Sequence, residues 1–540
     1  MSIPHRVSDI LQNHVTFELE CIDRMYLNAY VPGLQYEGGV VGFFRGHRGQ
    51  KFASSALIDP ITKGFVAATE RFAKEQDVPL IQFQKGQRKD DVMAQHLAQF
   101  RKSEGVVFIG KAQEKVPVFR TEKRRHPETG QRYPWIVRST AMVNQYYWYC
   151  VDAEFGPFFL KFSSYFPYNA KLCLNGHEYA KCQLRKEGIA FQALDNGFVS
   201  CANPERLRKI CREMGHLQID DLFRRWLARV PHPYTPADRQ AGYRYDLSML
   251  QVEFSLTQVL DRPLSGRIFF EEIIRENLDI GRPDKVQLIF DKRVTKKTRG
   301  TFRTRVLTEG VIPSLHVDYK DNRIKQYFKQ VPEVREVAAR TETTINNTRD
   351  FHIGKRLCNL SALRQVGFAA NRRLLEVERL SHDCAVGEEA LHQLNRPVIV
   401  NGQRTSALRT TDLRVLALWH LLVWFRLLSC GFSNRDLREQ LAVLTGQMPN
   451  TITPGRMTYD LRRLRLHGMI ERIPKTHRYR VTSFGLRAAL FFTRAHARLY
   501  RPVVAEIMPN GPPHDAALAR QFARLEEEID KRIQHAKLAA

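Results

Sequence analysis

Several acidic residues of this sequence lie in strand-like or turn-like contexts, where carboxylates could hold divalent metal ions against a phosphodiester. Cleavage by such a site also requires an activated water or a nucleophile such as tyrosine. We therefore take Glu342 and Asp152 as candidate catalytic carboxylates, with Mg2+ or Mn2+ as the cofactor expected of a nuclease. An ion pair or a turn is the ordinary alternative role for each carboxylate. The further acidic candidates are Asp23, Asp90, Asp91, Glu154 and Glu253.

Other signatures of catalysis are absent from the sequence. It contains no GxxxxGKS/T phosphate loop, no HExxH motif and no GxSxG motif, so ATP-driven chemistry is not indicated. Cys173, His177 and Cys182 have a spacing that could ligate a metal, but the two close cysteine pairs of a zinc ribbon are missing. The nine cysteines are typical of reduced thiols in a cytosolic protein rather than of a disulfide framework.

The charge balance of the chain favours a polyanionic partner. Lysine and arginine number 84 against 57 aspartate and glutamate residues, which gives a formal net charge of +27 and a pI of about 9.8. Nucleic acid is the first expectation and an anionic membrane surface the second. The first residues lack the apolar core of a signal peptide, and the apolar stretch Val415–Leu428 is too short to span a bilayer. We therefore expect a cytoplasmic protein without membrane segments.

Towards the end of the chain, the segment PGRMTYDLRRLRLHG has the pattern of a helix with one basic face. Thr453 is placed to cap this helix, and Pro454 suits its first position. Met457, Leu461 and Leu464 form its inward stripe. The opposite face carries residue types that reach base edges and phosphates when a helix enters the major groove. These candidate DNA-binding residues are Arg456, Thr458, Tyr459, Arg462 and Arg463, with Arg465 on the same face.

Elements on both sides would position the basic helix. An apolar scaffold helix is predicted over Leu413–Leu428, and Ser433 is placed to cap a second helix that begins NRDLREQ. After the basic helix, the strand MIERI, a short turn and the strand RYRVT predict a basic β-hairpin. Lys475, His477 and Arg478 of this hairpin are further candidate DNA contacts.

The order of these elements, over about residues 411–485, resembles the winged helix-turn-helix domains of bacterial regulators and mobile-element proteins. The resemblance implies a domain whose basic helix reads duplex DNA and whose hairpin is the wing. Winged helices serve repressors, replication initiators and recombinases alike, and some only make protein contacts.

A second, local resemblance lies in residues 323–346. The segment RIKQYFK followed by ARTETTI is similar to the Lys/Arg-x-Tyr-Asp-Lys and Arg-x-Glu strand pair of rolling-circle replication initiators. In that family the pair helps to build the sheet around a tyrosine nucleophile, which implies roles for Tyr327, Arg340 and Glu342. The sequence departs from the family because Phe328 replaces the aspartate and because no His-x-His pair occurs in the chain.

The expected fold class is α+β with several domains, in which a basic N-terminal region is first α/β and then rich in β-structure. Residues 120–132 are predicted to be a charged connection, Glu154–Gly156 a hairpin turn, residues 203–260 helical and residues 286–346 an antiparallel meander. The predicted domains are an α/β domain over 1–120, a mixed α+β domain over 121–394, the winged helix over 395–500, and over 501–540 a loop with an amphipathic helix that could form a homodimer.

The leading functional hypothesis is a sequence-specific DNA-binding protein of a mobile element or plasmid, with a second nucleic-acid-binding surface in its N-terminal region. That surface could bind duplex or single-stranded DNA, or RNA, because basic segments there accompany aromatic ones such as Tyr146–Tyr149. Aromatic residues are also typical of a sheet core, and we favour the core for this segment. The alternatives are a metal-dependent phosphodiester-cleaving or strand-transferring enzyme and a ligand-responsive transcriptional regulator.

Overall fold

The protein is a mixed α+β structure with a large sheet. It divides into two compact units, the first ending at Glu378 and the second beginning at Arg379. Within the described residues, no helix is long and apolar enough to cross a membrane. The computed structural model describes residues 7–84, 86–194, 196–281, 303–307, 314–319, 321–330, 337–382, 387–409, 412–425, 431–445, 447–448, 451–474 and 476–496.

Among the described residues, ten α-helices and thirteen strands lie in or begin in the first unit, and the last of these helices continues past Glu378. The helices are α1 (Val7–Asn13), α2 (Glu37–Gly42), α3 (Ile58–Glu75), α4 (Lys89–Gln99), α5 (Gly176–Lys186), α6 (Pro204–Glu213), α7 (His216–Arg229), α8 (Pro236–Gln240), α9 (Pro263–Gly281) and α10 (Leu360–His382). The strands are β1 (Val15–Tyr30), β2 (Leu80–Gln82), β3 (Gly105–Arg125), β4 (Arg132–Asp152), β5 (Gly156–Ser163), β6 (Ala170–Asn175), β7 (Phe191–Leu194), β8 (Gly197–Cys201), β9 (Asp246–Leu260), β10 (Arg303–Leu307), β11 (Ser314–Tyr319), β12 (Asn322–Gln330) and β13 (Val337–Ile345).

Eleven of these strands form one sheet, in the order β10-β11-β12-β13-β9-β1-β6-β5-β4-β3-β2. Among the described strands of this sheet, β2 and β3 alone pair in parallel. The predicted strand Phe17–Tyr30 is confirmed as part of β1, which lies between β9 and β6. Residues 1–120 therefore contribute to this sheet rather than to an α/β layer of their own, because the partners of β1 come from much later in the chain.

One face of the large sheet is apolar. Met25 of β1, Leu172 of β6 and Trp148 of β4 are fully buried in the main hydrophobic core. Helix α3 covers this face at β4, where the ring centroids of Phe72 and Trp148 lie 5.1 Å apart. The whole segment Tyr146–Tyr149 is buried, so the interpretation of this aromatic cluster as sheet core is confirmed.

Two predictions of secondary structure are wrong. The helical prediction for residues 203–260 holds for α6, α7 and α8, but Asp246–Leu260 is the interior strand β9. Side chains on both faces of β9 are mostly buried. Its sequence therefore lacks the alternation of polar and apolar residues that marks a half-exposed strand. Residues 120–132 are largely a long hairpin rather than a connection, because β3 continues to Arg125 and β4 begins at Arg132. Exposed hairpin strands carry the polar residues of a loop, which conceals them in a sequence.

The predicted hairpin turn and meander are confirmed. Strands β4 and β5 meet at the pair Asp152 and Gly156, so the turn lies at Ala153–Phe155. Strands β11, β12 and β13 pair consecutively and antiparallel, with Tyr319 opposite Asn322 at the first turn.

The second unit contains five helices and five strands among its described residues. Trp419 joins two of its helices, because its ring centroid lies 4.5 Å from that of Phe492 and its indole N–H donates to Met469 Sδ at 3.2 Å. Three strands form a small sheet in the order β16-β18-β17. The elements are α11 (Glu388–Asn395), β14 (Val398–Val400), β15 (Gln403–Thr405), α12 (Leu413–Phe425), β16 (Phe432–Ser433), α13 (Asn434–Leu444), α14 (Pro454–Leu466), β17 (Ile470–Arg472), β18 (Arg478–Val481) and α15 (Ser483–Ala495).

Gly431 is required where β16 meets β18. Its φ of +65° lies in the left-handed region, and a Cβ at this position would lie 2.3 Å from the carbonyl oxygen of Tyr479. A larger residue would therefore push β18 away from β16. The small sheet depends on this glycine for its close approach.

Candidate functional site

Helix α14 begins as its sequence predicts. The Thr453 side chain accepts a hydrogen bond from the Arg456 backbone N–H at 3.3 Å, and Pro454 occupies the first position. The predicted inward stripe is buried, with Met457, Leu461 and Leu464 at most 2% exposed. Local capping and this stripe together fix which side of α14 faces solvent.

The exposed side of α14 carries arginines whose charge is not neutralised. Arg456 and Arg462 are exposed, and neither guanidinium has a hydrogen bond or ion pair with any described residue. Thr458 Oγ1 accepts a hydrogen bond from the Asn434 side chain at 3.0 Å, which ties α14 to the start of α13. Tyr459 is half exposed, and its hydroxyl lies 2.9 Å from Ser406 Oγ. This face can therefore offer the cations of Arg456 and Arg462 to an anionic partner.

Arg463 does not belong to this exposed face, although helical spacing places it between Tyr459 and Arg456. Its guanidinium is buried and donates to the Ala407 carbonyl at 2.5 Å, while Asp460 lies 3.8 Å away. The segment that follows β15 covers this part of α14. The prediction that Arg463 faces outward is therefore wrong, because a segment distant in sequence packs over it.

A buried ion pair fixes α14 against α12. Arg414 donates to Asp460 Oδ2 through Nε at 3.0 Å and through Nη2 at 2.6 Å. Asp460 is 2% exposed, so this carboxylate depends on its two arginine neighbours for compensation of its charge. The orientation of the exposed arginines therefore rests on a rigid element.

The hairpin of β17 and β18 follows α14 directly. His477 is exposed at the turn, where its Nδ1 lies 3.2 Å from Arg472 Nη2. Arg478 instead turns inward and donates to the Gly431 carbonyl at 2.6 Å, which anchors the hairpin to the start of β16. Lys475, the remaining candidate of this hairpin, lies outside the described residues.

The structure brings Tyr327 and Glu342 together on neighbouring strands of the first unit. The Tyr327 hydroxyl donates to Glu342 Oε1 at 2.7 Å, and Arg340 Nε donates to the same oxygen at 2.9 Å. Burial raises the pKa of Tyr327, and the neighbouring Glu342 raises it further while Arg340 opposes the shift. Tyr327 is therefore held protonated beside a carboxylate that could accept its proton.

Arg340 is the centre of this group of residues, which we call the Arg340 cluster. Its side chain is 1% exposed, and its Nη2 donates to Asp23 Oδ2 at 2.5 Å. It also donates to the Asn196 carbonyl, and the Asn196 amide donates to the other oxygen of Asp23. The charge of Arg340 is thus neutralised by carboxylates within the protein.

A third carboxylate, Glu253, lies beside the Arg340 cluster. The pairing of β1 with β9 shifts between Ile22 and Met25, which places Asp23 and Arg24 at a bulge opposite Glu253. Burial raises the pKa of Glu253, and nearby Asp23 raises it further, although Arg24 opposes the shift. Sequence analysis noted Asp23 and Glu253 separately but could not show that a bulge brings them together.

Asp152 is not part of the Arg340 cluster. It is 1% exposed at the end of β4 and accepts hydrogen bonds from the Glu154 N–H at 2.9 Å and the Trp226 indole at 2.7 Å. Arg225 donates to it as well, at 3.0 Å. Burial alone would raise the pKa of Asp152, but these hydrogen bonds outweigh it and lower the pKa. Asp152 stabilises its hairpin turn and docks α7.

No metal site emerges in the part of the chain that the structure describes, where no group of histidine, cysteine, aspartate and glutamate side chains has a suitable arrangement. The sequence cluster of Cys173, His177 and Cys182 does not supply one, because His177 Nε2 bonds to Ser255 Oγ at 3.0 Å. Burial lowers the pKa of His177, so this imidazole is a neutral core residue.

The chain matches no known protein family, no curated protein and no solved structure. Its function has to be inferred from the geometry of its own residues.

A pair of lysines lies on the face of the large sheet opposite the apolar face that α3 covers, and neither was among the residues predicted from the sequence. Lys161 and Lys171 lie inside the otherwise apolar strands β5 and β6. A lysine within an apolar strand, as in FFLKFS and AKLCLN, is the signal that could have identified them. Charged residues are rarely buried without a partner, so such a position points to an ion pair or a ligand.

Proposed function

We propose that this protein is a sequence-specific DNA-binding protein whose second unit carries a winged helix. In this proposal α14 is the recognition helix in the major groove, α13 is the helix that precedes it, and the hairpin of β17 and β18 is the wing. An α-helix fits the major groove, where each base pair presents a distinct pattern of hydrogen-bonding groups.

The single observation that carries the proposal is the state of Arg456 and Arg462. Both side chains are exposed on one capped helix, and neither has an anionic partner among the described residues. Arginine donates in a bidentate manner to guanine O6 and N7, which is the commonest specific contact between a side chain and a base. Arg463 has no part in this contact, because it is bonded to the Ala407 carbonyl.

The hairpin supports the same proposal. His477 and Arg472 are exposed on it, close in sequence to Lys475, whereas the exposed Arg480 is paired with Glu471. Cations in a wing contact phosphates, which strengthens binding without selecting a sequence. Arg478 instead positions the wing, because its guanidinium is bonded to the Gly431 carbonyl.

The proposal also includes a nucleic-acid-binding surface in the first unit and a cytoplasmic location. The net charge of +27 exceeds what one recognition helix needs. The cysteines of the described residues are free thiols, as in a reducing compartment. The assignment to a mobile element or plasmid rests only on the sequence resemblance.

Selection from a random duplex DNA pool tests the proposed function. We expect the full-length protein to enrich one sequence and to bind it at least about a thousandfold more tightly than random duplex. Binding should weaken steeply as salt rises, because phosphate contacts release counterions. A pool that shows no enrichment after repeated rounds would contradict sequence-specific recognition.

A second candidate function is cleavage of a phosphodiester by Tyr327, favoured by its 2.7 Å hydrogen bond to Glu342. In such a step the tyrosine oxygen would bond to phosphorus, its proton would pass to Glu342, and a deoxyribose oxygen would leave. We would test it with single-stranded, hairpin and duplex DNA, with and without Mg2+ or Mn2+. A covalent DNA adduct that is lost in Tyr327→Phe would support it, and intact DNA in every condition would exclude it.

A further inference from the structure

Four polar side chains lie in one row across the second face of the large sheet. Tyr147 of β4 is opposite Lys161 of β5, Lys161 is opposite Lys171 of β6, and Lys171 is opposite Asn28 of β1. Residues directly opposite in antiparallel strands share a face, so these side chains are neighbours. We call Tyr147, Lys161, Lys171 and Asn28 the cation row.

The cation row carries more positive charge than its surroundings neutralise. Glu114 is shared, because Lys161 Nζ and the Tyr147 hydroxyl both donate to it and Lys89 Nζ lies 3.5 Å away. Lys171 is half-buried and has no hydrogen bond or ion pair with any residue that the structure describes. Lys161 and Lys89 thus share one carboxylate, and Lys171 has no carboxylate partner among the described residues.

Two lysines directly opposite each other destabilise a sheet, because like charges repel across the short distance between neighbouring strands. Burial makes the repulsion stronger, since Lys161 is 8% exposed and water screens it little. In agreement with this, burial lowers the pKa of Lys171, and Lys161 lowers it further. An anion bound between Lys161 and Lys171 would relieve the repulsion. Without such an anion, Lys171 would only destabilise the sheet.

An aromatic row runs beside the cation row. This row lies two residues away from the cation row in each strand. Tyr149 is opposite Phe159, Phe159 is opposite Cys173, and Cys173 is opposite Tyr26. The half-buried rings of Tyr26 and Phe159 have centroids 5.7 Å apart, and Lys171 Nζ lies 6.0 Å from the Tyr26 centroid. The two rows are separated by about 7 Å along the strands. Cations beside partly exposed rings suit a phosphate with an attached base.

We propose that the cation row and the rings of Tyr26 and Phe159 bind single-stranded nucleic acid. A phosphodiester lies between Lys161 and Lys171, and the adjoining base packs against Tyr26. The inference deepens the proposed function by locating the nucleic-acid-binding surface of the first unit on the sheet, and it rests on that part of the proposal. Duplex DNA fits less well, because its stacked bases do not present a free face to a ring.

The test measures binding of a fluorescent oligothymidylate of about 20 nucleotides to the full-length protein over a range of salt concentrations. We expect Lys171→Gln to weaken binding roughly three- to tenfold and to reduce the slope of log affinity against log salt by about 0.7. The matched control is Lys209→Gln on α6, whose side chain is 70% exposed and 3.9 Å from Glu213. Equal affinities and slopes for Lys171→Gln and wild type would overturn the proposal.

Stability without nucleic acid gives a second readout. Lys171→Gln removes a repulsive charge, so we expect its melting temperature to exceed that of the wild type. Addition of the oligonucleotide should then raise its melting temperature less than that of the wild type. A lower melting temperature in Lys171→Gln would show that the lysine stabilises the sheet and would overturn the proposal.

A further variant and two small probes complete the design. Tyr26→Leu keeps an apolar side chain but removes the ring, and we expect it to weaken oligonucleotide binding roughly fivefold or more. Inorganic phosphate and thymidine monophosphate serve as separate probes of melting temperature. If phosphate alone stabilises the protein as much as the oligonucleotide does, the row binds a free anion and the proposal fails.

The outcome is separable from that of the proposed duplex recognition. Lys171→Gln should leave binding of the selected duplex unchanged, whereas Arg456→Ala should leave oligothymidylate binding unchanged. Failure of duplex selection would therefore remove the recognition role of α14 and still leave the oligonucleotide result decisive for the cation row.

Discussion

Helix α14 and the Arg340 cluster both contain arginine, but the charge is compensated by carboxylates only in the Arg340 cluster. Arg456 and Arg462 on α14 are exposed and have no anionic partner in the described part of the chain. Arg340 is 1% exposed and contacts Asp23 and Glu342 at 2.5 and 2.9 Å. Arginine content alone therefore does not mark a binding surface. An arginine whose charge is neutralised within the fold stabilises the protein, and an unpaired arginine remains available to a partner.

The largest effect is expected for Arg340. Arg340→Ala leaves Asp23 and Glu342 buried without their cation, so the free energy of unfolding of the first unit should fall by about 3–5 kcal/mol. Urea titration followed by tryptophan fluorescence would measure it. The control Arg267→Ala removes an arginine that is 76% exposed and paired with Glu271, and it should change stability by about 0.5 kcal/mol or less. Equal effects of the two variants would show that the buried pairs of Arg340 contribute no more to stability than an exposed ion pair does.

The exposed arginines of α14 should affect binding and not stability. Arg456→Ala or Arg462→Ala should weaken binding to the selected duplex by about 1–3 kcal/mol, because each loses a base-edge contact. The matched control is Arg435→Ala on α13, which removes an exposed charge that is paired with Glu439 at 2.8 Å. Fluorescence anisotropy with the selected duplex would measure all three variants. Unchanged binding in both α14 variants would remove DNA recognition from this helix.

A smaller and more uniform effect is expected in the hairpin. Lys475→Ala should weaken binding to selected and random duplexes by the same factor, because a phosphate contact carries no sequence information. The slope of log affinity against log salt should fall in magnitude by about 1. Titrations of both duplexes over a range of salt concentrations would reveal this. A loss confined to the selected duplex would instead assign a base contact to Lys475.

The smallest effect concerns the pH dependence of stability in the first unit. Because burial raises the pKa of Glu253 above its ordinary value of 4.5, the folded state keeps the proton to higher pH than the unfolded state does. The free energy of unfolding therefore declines as pH rises from about 4.5 through the raised pKa. Glu253→Gln stays neutral and should lose this decline, so its melting temperature should match the wild type near about pH 4 and exceed it near about pH 8. Parallel pH profiles for variant and wild type would contradict a raised pKa.

The parts of the fold that the sequence could predict are local. Thr453 and Pro454 start α14, and Met457 lies on its inward stripe, because capping and helical spacing act within a few residues. The pairing of β12 with β13 was also predictable, because consecutive antiparallel strands with short turns form a meander.

The parts that could not be predicted depend on distant segments. Arg463 is buried by the segment around Ala407, which lies 56 residues earlier in the chain. Lys161 and Lys171 are opposite each other only because β5 and β6 pair in one register, which their sequences do not display. Asp152 looked catalytic beside a turn, but Trp226 of a later helix completes its hydrogen bonds.

Recognition of DNA by α14 is tested by measuring how tightly the wild type, Arg456→Ala and Arg435→Ala bind the selected duplex and each of its single-base substitutions. If α14 reads DNA, the wild type and Arg435→Ala will discriminate against substitutions by about 1–3 kcal/mol at the contacted base pairs, and Arg456→Ala will lose discrimination at one of them alone. If Arg456→Ala keeps the full wild-type pattern of discrimination at every position, then α14 does not read the sequence through this arginine, and the proposed recognition helix is contradicted.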